Sequence, residues 1–205
     1  MAKKALAEKQ QNEAGEKERF TKKDVIEIIF YISLVLLFTF LIVTFVAQRT
    51  VVDGNSMNPT LQDGDNLIVS KITYKVKDPE RFDIIVFPFR ESKDTNYIKR
   101  IIGLPGETVQ IDYNGNIFIN QKKLEENYGA EKIKYPGIAE EPIKLGEDEY
   151  FVLGDNRNDS KDSRFKDVGN IKRSSIIGKA VFRIYPFNKI HVINHDFYGD
   201  RTVEK

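Results

Sequence analysis

Three segments of this 205-residue chain carry side chains whose types and spacing could do chemistry. In the first, Gly54-Asn55-Ser56-Met57-Asn58-Pro59-Thr60-Leu61, a serine stands between a glycine and a proline that shape a loop. A hydroxyl held at a fixed angle there could act as a nucleophile once a base takes its proton. An ordinary turn, with the serine bonded to its own backbone, is the competing reading. The second segment runs from Tyr97 to Gly106 and sets Lys99 and Arg100 inside a β-branched and aromatic run. If the run alternates, Lys99 shares a face with Tyr97 and Ile101, while Ile98, Arg100 and Ile102 point the other way. One of the two basic residues then leans toward the core, where a lysine needs a partner or a lowered pKa. A lysine guarding a partly exposed edge strand is the alternative. The third segment, Gly154 to Arg164, follows the apolar run Tyr150–Leu153 and is dense in Asp and Asn. It lacks the glycine and terminal glutamate of a calcium-binding loop, so it reads as an internally hydrogen-bonded polar loop without a metal.

Composition narrows the chemistry. The chain has no cysteine, which excludes a thiol nucleophile, thiolate metal sites and disulfides. Its two histidines, His191 and His195, lie near the C-terminus and read as strand-end or tail residues. They are too few for a multi-histidine zinc site and badly placed for a Ser-His-Asp triad. A formal net charge of +1 gives no pull toward nucleic acid.

The elements that must hold these segments begin with a polar tail over residues 1–23. Residues 28–47 then form an uncharged apolar run, IIFYISLVLLFTFLIVTFVA. As a helix it is about 30 Å long, the thickness of a bilayer's hydrocarbon core, so residues 24–47 are expected to be a transmembrane helix. Phe45-Val46-Ala47 is a poor cleavage site, which favours an uncleaved anchor over a signal peptide. Lys17, Arg19, Lys22 and Lys23 precede the run, whereas only Arg49 follows it before Lys71. The positive-inside rule therefore puts the N-terminus in the cytoplasm and residues 48–205 outside. Only about nine residues separate Ala47 from Ser56, so Ser56 is tethered within about 30 Å of the membrane.

The exterior part reads as mainly β. Strands are expected at 66–71, 81–87, 97–102, 150–153, 176–184 and 190–193, with a hairpin over 108–120 turning at Asn114-Gly115 in type I′ geometry. Residues 122–148 are charged, contain Pro136, Gly137 and Pro142, and read as an irregular excursion.

Taken together, these features resemble the bacterial type I signal peptidases, a family of Ser-Lys dyad serine proteases, in its compact Gram-positive form. The resemblance rests on the anchor, Ser56-Met57-x-Pro59-Thr60-Leu61, Asp63-Gly64-Asp65, Lys99-Arg100-x-x-Gly103-x-Pro105-Gly106, and Gly154-Asp155-Asn156-Arg157 running to Asp162-Ser163-Arg164. It implies an antiparallel, barrel-like β domain behind one transmembrane helix. It also implies a single-pass protein of the bacterial cell membrane that removes signal peptides from secretory preproteins, cutting after small residues such as Ala. No cofactor is implied; the partners are preproteins and the lipid bilayer.

Carried over by motif, the catalytic serine falls on Ser56, the general base on Lys99, a lysine-orienting serine on Ser160 and a structural salt bridge on Asp162 and Arg164. Gly54 stands where some relatives have a serine that helps hold the oxyanion, so the Ser56 N–H would carry the hole without that side-chain donor. Val52, Met57, Leu61, Tyr97 and Ile98 are candidates to line the substrate pockets, with an extended substrate pairing near Val52 and Tyr97. Two other readings are a membrane-anchored non-catalytic module of the same fold and a self-cleaving repressor-type Ser-Lys protease. Ser56 together with Lys99 argues against the first. The apolar span and the missing helix-turn-helix argue against the second.

Overall fold

The computed structural model of the chain describes residues 21–89 and 95–195, so most of the tail expected over 1–23 lies outside the described residues. The chain divides into two units, the first ending at Ile42. In the first, helix α1 (Lys22–Leu41) starts at a capping box. Asp24 N–H donates to the Thr21 hydroxyl at 3.3 Å, and Thr21 N–H donates to the Asp24 carboxylate at 2.7 Å. None of its side chains is buried. The α-helix stops at Leu41, and a π-helical turn (Ile42–Val46) leads to a strand that opens at Ala47.

The second unit is built on antiparallel sheet, as the alternating and β-branched runs predict. The larger sheet contains β1 (Ala47–Val51), β2 (Asn66–Ser70), β3 (Ile84–Pro88), β4 (Asn96–Gly103), β9 (Glu149–Leu153), β10 (Ile171–Lys172) and β11 (Gly178–Tyr185). Their spatial order is β1-β2-β11-β3-β4-β9-β10, and β12 (His191–Val192) pairs with β11. A smaller sheet runs β7 (Lys122–Lys123), β6 (Ile117–Ile119), β5 (Thr108–Ile111), β8 (Ile143–Lys144).

Several local features differ from the expectations. The 122–148 excursion contributes β7 and β8 and buries Tyr128, Ile133, Ala139 and Leu145, so part of it completes the smaller sheet. The strand expected from Arg81 begins only at Ile84, after Phe82 takes a φ of 73°. The 108–120 hairpin does not turn in type I′ geometry, which needs positive φ at both central residues. Only Gly115 has it, at 77°; the Asp112 carboxylate accepts from the Asn114 and Asn116 N–H groups and sets a different turn.

Strand β4 is the element that matters most for chemistry. It lies between β3 and β9, with Lys99 opposite Ile85 and Arg100 opposite Leu153. Ile98, Ile101 and Ile102 each enter a different apolar cluster, so β4 is covered on both faces. It is therefore not an edge strand. The expectation that one of Lys99 and Arg100 turns inward falls short, because both do: Lys99 is 3% exposed and Arg100 0%.

Candidate active site

The serine loop is shaped by its backbone. Gly54 has a φ of 85°, where a side chain is strained, yet a Cβ there would meet nothing within 4 Å. Glycine stands at this position for conformation rather than space. Its N–H donates to the Asp63 carboxylate at 2.9 Å, and Val52 N–H donates to the Asp65 carbonyl at 2.8 Å. Asn58 N–H closes the turn on the Asn55 carbonyl at 3.0 Å. These bonds fix the loop carrying Ser56 against the Asp63-Gly64-Asp65 turn.

Lys99 reaches this loop from β4. Its Nζ lies 2.7 Å from Ser56 Oγ and 3.0 Å from the Ile98 carbonyl oxygen. The ammonium form donates to Oγ; the neutral amine can accept the hydroxyl proton instead. Burial lowers the lysine pKa to about 8, against the opposing pull of the Asp162 and Asp155 charges. A substantial fraction of the amine is then neutral near physiological pH, where an exposed lysine would be almost wholly charged. That combination, a hydroxyl with a largely desolvated amine in hydrogen-bond contact, is what an activated serine nucleophile requires.

The polar loop after β9 supports both residues. Asn156 N–H donates to the Ser56 carbonyl at 3.0 Å, and Asn156 Nδ2 donates to the Asn55 carbonyl at 3.2 Å. Asp155 accepts from Arg100 at 2.9 and 2.7 Å, both side chains fully buried. The Arg100 guanidinium also lies 3.8 Å from the centre of the Tyr128 ring. Asp162 and Arg164 form the expected ion pair, with two contacts of 2.8 Å. Asp162 also accepts from Gly154 N–H at 3.1 Å, and Arg164 donates to the Arg157 carbonyl at 2.6 Å. Ser160 packs beside Gly154, but its buried hydroxyl has no hydrogen-bond partner among the described residues. The polar partners of the Lys99 amine are thus Ser56 and the Ile98 carbonyl.

A cleft of about 190 Å³ opens on Ser56 and Lys99. Val52, Met57, Tyr97 and Ile98 line it as expected. Leu61 does not: it is wholly buried in the apolar cluster that includes Val52, Met57 and Ile98, one layer behind the wall. Val51, Asp53, Asn96 and Lys161 complete the lining and escaped the sequence reading. Asn156 and the Arg100–Asp155 pair escaped it too, although both lie inside segments singled out for their polar content. Sequence alone showed no signal that Asn156 bonds the serine loop or that Arg100 and Asp155 pair with each other.

Among the described residues, Glu80, Asp83 and His195 place possible metal-ligand atoms within 4.8 Å of one another. Asp83, however, already accepts from Lys179 at 2.5 Å, His195 at 2.9 Å and Tyr74 at 2.8 Å. Its carboxylate is satisfied by protein groups, and it does not line the cleft on Ser56 and Lys99.

Comparison with known proteins identifies a family. Residues 24–185 match the family described as signal peptidase, peptidase S26. Probable signal peptidase I-2 of Synechocystis sp. is 42% identical over 158 residues, covering 75% of this chain and 70% of that protein. Signal peptidase I P of Bacillus subtilis subsp. natto is 37% identical, covering 85% of this chain and 97% of its own. Signal peptidase IB of Staphylococcus aureus is 32% identical, covering 88% and 98%. A crystal structure of a signal peptidase I from Enterococcus faecalis V583 superposes with a TM-score of 0.42 at 35% identity, over 51% of this chain and 98% of that chain.

Proposed function

We propose, for a chain that belongs to the peptidase S26 family of signal peptidases, that Ser56 is the nucleophile and Lys99 the general base with which it removes signal peptides. The chain is a type I signal peptidase, a serine peptidase acting on secretory preproteins. The observation that carries the residue roles is the 2.7 Å contact between Lys99 Nζ and Ser56 Oγ, with Lys99 3% exposed.

The steps follow from that contact. Neutral Lys99 takes the Ser56 proton as Oγ bonds to the scissile carbonyl carbon and the carbonyl oxygen becomes an oxyanion. The Ser56 N–H, which has no partner among the described residues, is available to receive that charge. The intermediate collapses as the C–N bond breaks and the Lys99 ammonium returns its proton to the leaving amine. Water then gives a proton to Lys99 and its oxygen to the acyl carbon, and Ser56 leaves and is reprotonated.

The apolar helical span Lys22–Val46, which includes α1, is long enough to cross a bilayer, and the flanking charges favour an N-terminus in the cytoplasm. The catalytic unit then faces the outside, anchored where preproteins emerge. Small residues before the cut suit a cleft whose walls include Val52, Met57 and Ile98. Gly54 adds no side-chain donor to the oxyanion hole. Asp162 and Arg164 hold the loop that Ser160 occupies.

The test is processing of a preprotein by the full chain in bilayer vesicles. Wild type should release the mature part, while Ser56→Ala and Lys99→Ala should each fall to background with their folds intact. Full activity in either variant would refute the roles given to them.

A further inference from the structure

Lys99 becomes an ammonium as it takes the serine proton, inside a site that disfavours charge. Its hydrogen bonds are to Ser56 Oγ and the Ile98 carbonyl, and none is to a carboxylate. The face of an aromatic ring meets it instead. Tyr97 lies two residues earlier on the same side of β4, and its ring centre is 5.0 Å from Lys99 Nζ. That ring is held firmly. It stacks on Phe89 with centres 4.6 Å apart and planes 10° from parallel, and meets Phe87 edge-on at 6.1 Å. Beyond the stack, Lys161 Nζ stands 4.9 Å from the Phe89 ring centre and pairs with Asp167. A ring's negative face attracts a cation, and more so where water is excluded.

We infer that Tyr97 is a positioning residue for the general base: its ring face, fixed by Phe87 and Phe89, stabilises the ammonium form of Lys99 and holds Nζ beside Ser56 Oγ. This rests on Lys99 being the base. The ring forms and breaks no bond; it sets the pH at which the amine is free to accept a proton. Other charges around Lys99 are Asp155 and Asp162 on the loop after β9, Asp53 on the serine loop, and Lys161 across the cleft. The carboxylates favour the ammonium and Lys161 opposes it. The ring adds a stabilising contribution that does not depend on a counter-ion.

The experiment replaces Tyr97 in the full chain, held in detergent micelles, with Phe and then with 4-fluoro-, 3,5-difluoro- and 3,4,5-trifluoro-phenylalanine. Fluorine drains the negative face while barely changing the ring's size. Two quantities are read: the Lys99 pKa, from pH-dependent amine labelling followed by mass spectrometry, and the acidic limb of kcat/KM. The expected result is a stepwise fall in the Lys99 pKa, about 0.5–1 pH unit across the series, with the acidic limb moving by the same amount and KM nearly constant. From a starting value of about 8, that fall increases the neutral fraction of the amine at pH 7 by about 2.5- to 5-fold. A Lys99 pKa that stays put while fluorine is added would overturn the inference, and so would a series that changes KM alone. A Lys99 pKa that falls while the acidic limb stays fixed would support the ring's effect on the amine and refute Lys99 as the base.

Discussion

Arg100 and Asp155 form a doubly hydrogen-bonded ion pair with neither side chain exposed. Arg100 follows Lys99, the proposed base, on β4, and Asp155 precedes Asn156, whose N–H holds the Ser56 carbonyl. The pair therefore ties the strand that carries Lys99 to the loop that clamps Ser56. Its value is positional as much as energetic, because burying two charges costs nearly what their attraction returns. Breaking it is another matter. Asp155→Asn leaves the guanidinium buried and uncompensated, and unfolding in denaturant should show a loss of about 3–5 kcal/mol. The variant should also lower the Lys99 pKa, since the Asp155 charge raises it, so the acidic limb of kcat/KM should move to lower pH. Unchanged stability with an unchanged limb would show that the pair plays neither part.

Gly154 is a glycine because two groups crowd it. A Cβ there would lie 2.2 Å from Ser160 Oγ and 2.4 Å from the Ser56 carbonyl oxygen. Gly154→Ala must therefore push on the backbone of Ser56. We expect a stability cost of about 1–3 kcal/mol, and a fall in kcat of about 100-fold from misplacing Ser56. Gly146→Ala is the control. Its Cβ would meet Glu149 no closer than 3.4 Å, so both stability and kcat should stay close to wild type. Equal effects of the two substitutions would remove the steric argument.

The burial that lowers the pKa of Lys99 makes this amine a cost to the fold. In the unfolded chain the amine titrates near its ordinary value of 10.5, whereas in the folded protein it titrates near 8. Between these values the unfolded state binds the extra proton, so stability rises with pH across that window. Below pH 8 both states are protonated and the whole penalty is present, at most about 3 kcal/mol. Lys99→Met should therefore be inactive yet more stable than wild type at pH 7. Its advantage should shrink as the pH approaches 10. A destabilised Lys99→Met protein at pH 7 would mean that the amine's contacts outweigh its desolvation.

Much of this arrangement was legible in the chain. The apolar run, the β-rich unit that follows it and the segments carrying Ser56 and Lys99 all announced themselves through composition and period. What was hidden depends on packing between distant segments. The run from Tyr97 to Ile102 alternates, which predicts one inward basic residue; covering by apolar clusters on both faces of β4 buries two. Strands β7 and β8 are two residues each and sit in a charged stretch, so no periodicity could mark them. Strand β1, AQRTV, turns polar and charged directly after the apolar run, shows no strand pattern of its own and is specified by its pairing with β2. Leu61 belongs to the motif that carries Ser56, yet its side chain turns into the core rather than the cleft.

The central claim is that Lys99 takes the proton from Ser56, and single-turnover acylation tests it most directly. A preprotein-derived substrate is mixed with excess full-length protein, and the acyl group on Ser56 is quantified by mass spectrometry across pH. The predicted acylation rate rises with pH through one ionisation near 8, and this acylation disappears in Lys99→Ala. Acylation of Ser56 at an undiminished rate in Lys99→Ala, or an acyl group found on another residue, would contradict it.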